Sequence, residues 1–169
     1  GRHERFKVFA AHLIHHPDEP QARQRADLVR SYCAARSIPL TVGELSSSSG
    51  AGQSPEEWMR QERYRFLAAT AQQEQCSWIL TAHHSDDQAE TILHRVVTGT
   101  GLQGLAGIRP RRGNVLRPLL TVSKSDLRAY CRAEAVPFEE DPTNDDTSRP
   151  RNRIRRDILP LLEKELNPE

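Results

Sequence analysis

Three short apolar runs, each followed by a stretch with helical spacing, constrain this chain more than any other feature. Residues 6–14 (FKVFAAHLI), 38–45 (IPLTVGEL) and 78–82 (WILTA) have the length and composition of strands. The first is nearly continuous in apolar character, as expected of a strand buried on both faces. Within 22–35, Ala26, Val29 and Cys33 recur at helical intervals. Ser54 is placed to cap a second helix, with Pro55 at its first position and Glu57 closing a capping box, and this helix is predicted to run to about residue 75. A third helix follows the third strand to about residue 97. Residues 115–122 read as extended, Ser123 and the residues after it open a helix to about 135, and a last helix covers 151–166. Strands alternating with helices predict an α/β chain: a three-layer parallel sheet with helices on both faces. Such sheets bind ligands beyond the C-terminal ends of their strands, here after Ile14, Leu45 and Ala82.

The 169 residues, 36 % of them apolar, suit a single domain and exclude a disordered chain. No apolar run approaches the roughly 18–20 residues of a membrane span, and no apolar signal segment follows the first residues, so a cytoplasmic protein is expected. The net charge of +1 hides a bias, because only three of the 24 basic residues are lysine. Arginine crowds into Arg109, Arg111, Arg112 and Arg117, then Arg149, Arg151, Arg153, Arg155 and Arg156. Clustered guanidinium forks suit phosphate and point to an anionic partner such as nucleic acid, whereas the overall arginine excess is explained equally by a G+C-rich coding sequence. Cys33, Cys76 and Cys131 form no C-x-x-C pair, which leaves them as small core residues of a reducing compartment.

The densest chemistry follows the third strand, in Thr81-Ala82-His83-His84-Ser85-Asp86-Asp87-Gln88-Ala89-Glu90-Thr91. Asp87 and Glu90, three apart, share one flank of the helix whose apolar stripe is Ala89, Ile92, Leu93, Val96 and Val97. Two histidines and two carboxylates converging at a strand end suit Mg²⁺ held through carboxylate oxygens, Asp87 being the candidate, or a substrate ammonium. Ser85 with Gln88 also forms a capping box, and acidic residues in a first turn suit the helix dipole. On the preceding helix Arg63 interrupts the apolar face of Met59, Phe66 and Leu67, so it must pair, snorkel or point into a polar site. Near the end, the acidic run 139–146 precedes the arginines of a helix start, where cations are disfavoured. Those arginines either pair with the acidic run or face phosphates.

At these residues the chain resembles the tRNA(Ile)-lysidine synthase family. The resemblance lies in T-A-H-H-S-D-D-Q-A-E-T with R-V-V-T-G-T-G-L-Q-G-L-A-G-I behind it, in SPEEWMRQERYRFL over 54–67, in Arg117-Pro118-Leu119-Leu120, and in E-D-P-T-N followed by R-N-R-I-R at 151–155. It covers almost the whole chain. The resemblance implies the adenine nucleotide α-hydrolase-like (Rossmann-like) fold of the N-type ATP pyrophosphatases. It implies use of ATP and Mg²⁺ to adenylate the C2 oxygen of the wobble cytidine of an isoleucine tRNA with a CAU anticodon. The ε-amine of L-lysine then displaces AMP. By this resemblance Asp86, Asp87, Arg63 and His84 are catalytic; Arg60, His83, Glu90, Ala11 and His12 bind substrate or ATP; and Arg111, Arg112, Arg151, Arg153 and Arg155 bind tRNA.

The family's opening strand and its S-G-G-x-D-S phosphate loop are not among these residues. The expectation is therefore one partial catalytic domain over 1–169, without the first strand or tRNA-binding domains, inactive by itself and prone to pair with a second copy through an open sheet edge. Two other functions fit the same residues: a related tRNA 2-thiolation enzyme, disfavoured by the scattered cysteines, and a non-catalytic remnant that binds tRNA.

Overall fold

The computed structural model describes residues 6–45, 54–139 and 150–166; the serine- and glycine-rich stretch 46–52, the acidic residues 140–146 and Arg149 lie outside them. The chain packs as two compact units, Gly1–Ile79 and Leu80–Glu169.

In the first unit, β1 (Ala10–Ile14) and β2 (Leu40–Glu44) pair in parallel, with Ala10 opposite Leu40 and Ile14 opposite Glu44. The ladder extends at both ends: the Ala10 N–H donates to Pro39 O at 2.8 Å and the Leu45 N–H to Ile14 O at 2.9 Å. The first strand starts later than its apolar run, and Phe6 stands 88 % exposed ahead of it. The crossover is α1 (Pro20–Ala35), which returns the chain to the same end of the sheet, as parallel pairing requires.

Side chains alternate across a strand, so the two faces of this pair are read directly from the register. Ile14 and Val42 lie on one face and pack with Ala22 and Ala26 of α1, the alanines letting the helix approach closely. Leu13 and Gly43 lie on the other, beneath Phe66 of α2 (Pro55–Gln73). A Cβ on Gly43 would stand 2.6 Å from Phe66 Cε2, so glycine is what lets the ring lie on the strand. Helix, sheet and helix therefore make three layers within this unit, as the alternation of elements predicts. Ser54 and Pro55 take the expected places at the start of α2, but the Ser54 side chain makes no capping bond. The expected capping box with Glu57 is absent, and the Glu57 carboxylate lies 3.7 Å from Arg60 Nη1 instead.

β3 (Ile79–Leu80) crosses the boundary into the second unit and belongs to a three-stranded sheet of order β3-β5-β4. β4 (Arg111–Arg112) and β5 (Val115–Leu116) form an antiparallel hairpin, turned by two residues of which Gly113 has φ +60°. The α/β class holds, but the strands form two small sheets, and the expected extended segment 115–122 is a hairpin arm followed by turns. The remaining elements are α3 (Ser85–Thr98), the single turn α4 (Leu102–Leu105), α5 (Lys124–Ala133), α6 (Pro150–Arg153) and α7 (Leu159–Leu166). Ser123 caps α5, its Oγ accepting from the Asp126 N–H at 3.0 Å.

A wide π-turn over Ile154–Ile158 joins α6 to α7, and in it the Leu159 N–H reaches back to Ile154 O. Pro160 explains the widening: it has no N–H for the carbonyl four residues back, and its ring would clash there in a regular α-helix. Among the described residues no helix is long and apolar enough to cross a membrane.

Candidate functional site

The entry to α3 gathers the most chemistry. Its cap is His84, one residue earlier than expected, and the His84 N–H donates to Asp87 Oδ2 at 3.0 Å. Gln88, expected to close a box with Ser85, instead accepts from the Ile108 N–H at 2.5 Å. One oxygen of Asp87 is thus committed to holding the helix start. Asp86 is committed elsewhere: its Oδ1 accepts from the Lys124 N–H at 3.0 Å and from Ser85 Oγ at 3.3 Å. Burial pushes the Asp86 carboxyl upward, but the Lys124 N–H, the nearby His84 and the Ser85 hydroxyl together hold it below its usual value. The His84 ring lies 3.6 Å from Asp86 Oδ1 through Nδ1 and 3.5 Å from Asp87 Oδ2 through Nε2. His83 Nδ1 is 3.0 Å from Thr81 Oγ1, which fixes that ring against the strand end.

One turn further on, Glu90 is only 5 % exposed, and Arg155 from the π-turn meets it. Arg155 Nε and Nη2 donate to the two carboxylate oxygens of Glu90, the second bond at 2.9 Å, and Nη2 lies 3.8 Å from Asp87 Oδ1. The hydrogen bond to Glu90 raises the Arg155 pKa against the opposing effect of its burial, with Glu90, Asp87 and Asp86 adding attraction. The arginine expected at tRNA therefore sits on the carboxylates of α3. Arg151 and Arg153 are exposed, while Asn152 between them and Ile154 after them are buried. Arg111 and Arg112 are exposed on the β4 hairpin. Arg117, grouped with them by sequence, is instead 6 % exposed and donates from Nη1 to Arg109 O at 2.8 Å, so it holds the hairpin base.

Three carboxylates within one turn and a half of helix supply hard oxygen donors of the kind Mg²⁺ prefers. Among the described residues no three histidine, cysteine or acidic side chains form a ready metal cage. Mg²⁺ bound by one carboxylate and by substrate phosphates needs none, and Asp87 fits that role.

The first unit holds the other expected residues. Ala11 and His12 lie in β1 opposite Thr41 and Val42. Burial lowers the His12 pKa, and Arg30 and Arg25 lower it further. On α2, Arg60 pairs with Glu57 and lies 6.0 Å from the Tyr64 ring centroid. Arg63 has a different partner, donating from Nε to His15 Nε2 at 3.1 Å. His15 follows Ile14 where β1 ends, and it is not among the site residues expected from sequence. Its position just past a parallel strand is the signal that could have found it. A cavity of about 260 Å³ opens beside the same strand ends, lined by Leu13, Gly43, Leu45, Glu62 and Phe66 among others.

Over 97 % of its length the chain is 41 % identical to the tRNA(Ile)-lysidine synthase of Thermotoga sp. (strain RQ2), and spans 40 % of that protein. It is 35 % identical to the tRNA(Ile)-lysidine synthase of Geobacillus kaustophilus, spanning 37 % of it. The chain thus covers well under half of the curated relatives it matches. Its fold is similar to that of a U34-tRNA thiolase from Methanococcus maripaludis, with a TM-score of 0.70 over 95 % of this chain and 68 % of that one, at 13 % identity. The PP-loop domain matches residues 1–162, nearly the whole sequence, and the chain belongs to that family.

Proposed function

We propose that this chain is part of the catalytic domain of an enzyme that joins L-lysine to C2 of the wobble cytidine of an isoleucine tRNA with a CAU anticodon. The observation that carries this reading is the group Asp86, Asp87 and Glu90 at the entry to α3, with Arg155 in their midst. The two relatives named tRNA(Ile)-lysidine synthase support it across the chain. ATP supplies the adenylyl group that makes the C2 oxygen a leaving group, and Mg²⁺ at Asp87 would offset phosphate charge. Asp86, Asp87 and Glu90 offer acceptors for the lysine ammonium and a destination for the proton it must lose before the amine attacks. Arg63 supplies positive charge to phosphate or to the C2 oxygen as adenylation proceeds. Arg60, His83, Ala11 and His12 complete the substrate and ATP contacts. Arg111, Arg112, Arg151 and Arg153 hold tRNA by its phosphates, with Arg155 poised between that role and the carboxylates. The setting is the cytoplasm.

The test is incubation of the whole protein that contains residues 1–169 with ATP, Mg²⁺, labelled lysine and a CAU-anticodon transcript. Lysine incorporated at the wobble cytidine, seen as a lysine-bearing nucleoside by mass, supports the reading. A folded protein that binds the transcript yet adds nothing overturns it. A sulfur-bearing nucleoside in a matched reaction with a sulfur donor points to the thiolation alternative.

A further inference from the structure

Arg63, exposed on α2, is held by a neutral partner and not by an acid. The burial it does have lowers its pKa, Tyr64 opposes that and Arg60 adds repulsion, so the group sits in a place that disfavours its charge. Among the described residues no carboxylate lies within ion-pair distance of it; its hydrogen-bond partner is the neutral ring of His15. The other arginines nearby on α2 are treated differently, Arg60 facing Glu57 and Arg65 facing Glu62.

The His15–Arg63 bond defines the histidine's state. Nε2 accepts from Arg63 Nε, so the proton of the neutral ring is on Nδ1, and a doubly protonated ring could not accept at all. Nδ1 is itself buried without a hydrogen-bond partner among the described residues. Burial, then Arg63, His16 and His12 press the ring's pKa down to about 4. His15 therefore stays uncharged across the working range of pH and holds the guanidinium by one edge without cancelling its charge. A carboxylate in the same place would hold Arg63 at least as firmly, but would leave an ion pair of no net charge.

We infer that His15 is a positioning residue whose neutrality matters: it fixes Arg63 while reserving the guanidinium's full positive charge for a phosphate oxyanion of the substrate. For the identity of that anion the inference rests on the functional reading above. Its physical content is that charge at position 15, and not only hydrogen bonding there, decides how well Arg63 works.

The experiment uses the whole protein containing this chain, with MgATP affinity measured by calorimetry and the kcat of lysine incorporation measured in parallel. His15→Gln keeps a neutral acceptor and is expected to stay within about threefold of the parent in both readouts. His15→Glu keeps an acceptor but adds a negative charge, and is expected to lose at least tenfold in one of them, matching Arg63→Gln. The double variant H15E/R63Q is expected to lose no more than R63Q alone, which a general loss of packing would not reproduce. His15→Asn serves as the neutral variant if glutamine does not fit, and only variants melting within a few degrees of the parent are compared. Equal values for H15Q and H15E overturn the inference, as does a further loss in the double variant. If the parent adds no lysine but its MgATP affinity still falls only with H15E and R63Q, the functional reading fails and this inference stands.

Discussion

Arg155 grips Glu90 by two parallel prongs, Nε to one carboxylate oxygen and Nη2 to the other, across 65 positions of sequence. Glu90 is almost wholly buried, whereas Arg155 keeps about a third of its side chain exposed to solvent. The asymmetry sets the direction of substitution effects. Removing Arg155 strands a buried negative charge, whereas removing the Glu90 charge leaves an arginine that can turn toward water.

Arg155→Gln is accordingly expected to destabilise the second unit by about 3 kcal/mol, the lower end for a broken buried pair. Glu90→Gln, which keeps an accepting oxygen, is expected to cost about 1–2 kcal/mol. The double variant should recover part of the larger loss. Urea unfolding followed by circular dichroism measures all three, and an equal or larger loss for E90Q would contradict the asymmetry.

Below neutrality His15 makes stability depend on pH. Its pKa falls from 6.5 in the unfolded chain to about 4 in the folded one, so between those values the unfolded state binds more protons. Stability from this group is complete above pH 6.5 and drains away as pH falls toward 4. His12, also lowered, acts in the same direction. Unfolding free energies of the parent and of H15Q, measured from pH 7 to 4, should show the parent losing stability relative to H15Q as pH falls, because glutamine does not titrate. A constant difference would show that the ring does not titrate this way.

Phe66 lies so close to the strand that Gly43→Ala must displace the ring. The expected loss is about 1–3 kcal/mol, the usual range for overpacking, and Phe66→Leu should relieve part of it. Thermal melting of the single and double variants reads both effects. A neutral G43A would mean that the layer over β2 yields to an added methyl group.

On the β4 hairpin, Arg111 and Arg112 are exposed, and Arg111 Nε donates to Gly113 O at 3.1 Å. Replacing both with glutamine should leave the melting temperature nearly unchanged while weakening tRNA binding. The slope of log affinity against log salt should flatten by about 0.7–0.9 for each phosphate that the variant no longer neutralises. An unchanged slope removes these two arginines from the tRNA surface.

Much of this is legible in the residues, and what escapes does so for definable reasons. The parallel pair and its crossover helix follow from apolar runs and helical spacing, because burial on both faces leaves a local trace. Local spacing puts the cap of α3 one residue late: Asp87 satisfies the His84 N–H while Gln88 is drawn to Ile108, twenty residues away. Spacing alone cannot weigh a distant N–H against a near one. Arg117 falls among the surface arginines by sequence because composition registers charge but not which carbonyl it meets. His15 and the Arg155–Glu90 pair escape for the same cause: each joins residues 48 or more positions apart.

The π-turn at 154–158 alters how the end of the chain is to be counted. A helical run that takes five residues where four would do carries one residue beyond its pitch, and everything after it is rotated by about 100° relative to an unbroken helix. Arg153 and Arg155 therefore keep a phase of their own, while Leu159–Leu166 follows another. A wheel drawn through 151–166 as one helix assigns the wrong outward face to one half. Pro160, which cannot donate to the carbonyl four residues back, sits just past the turn where this change of phase is made.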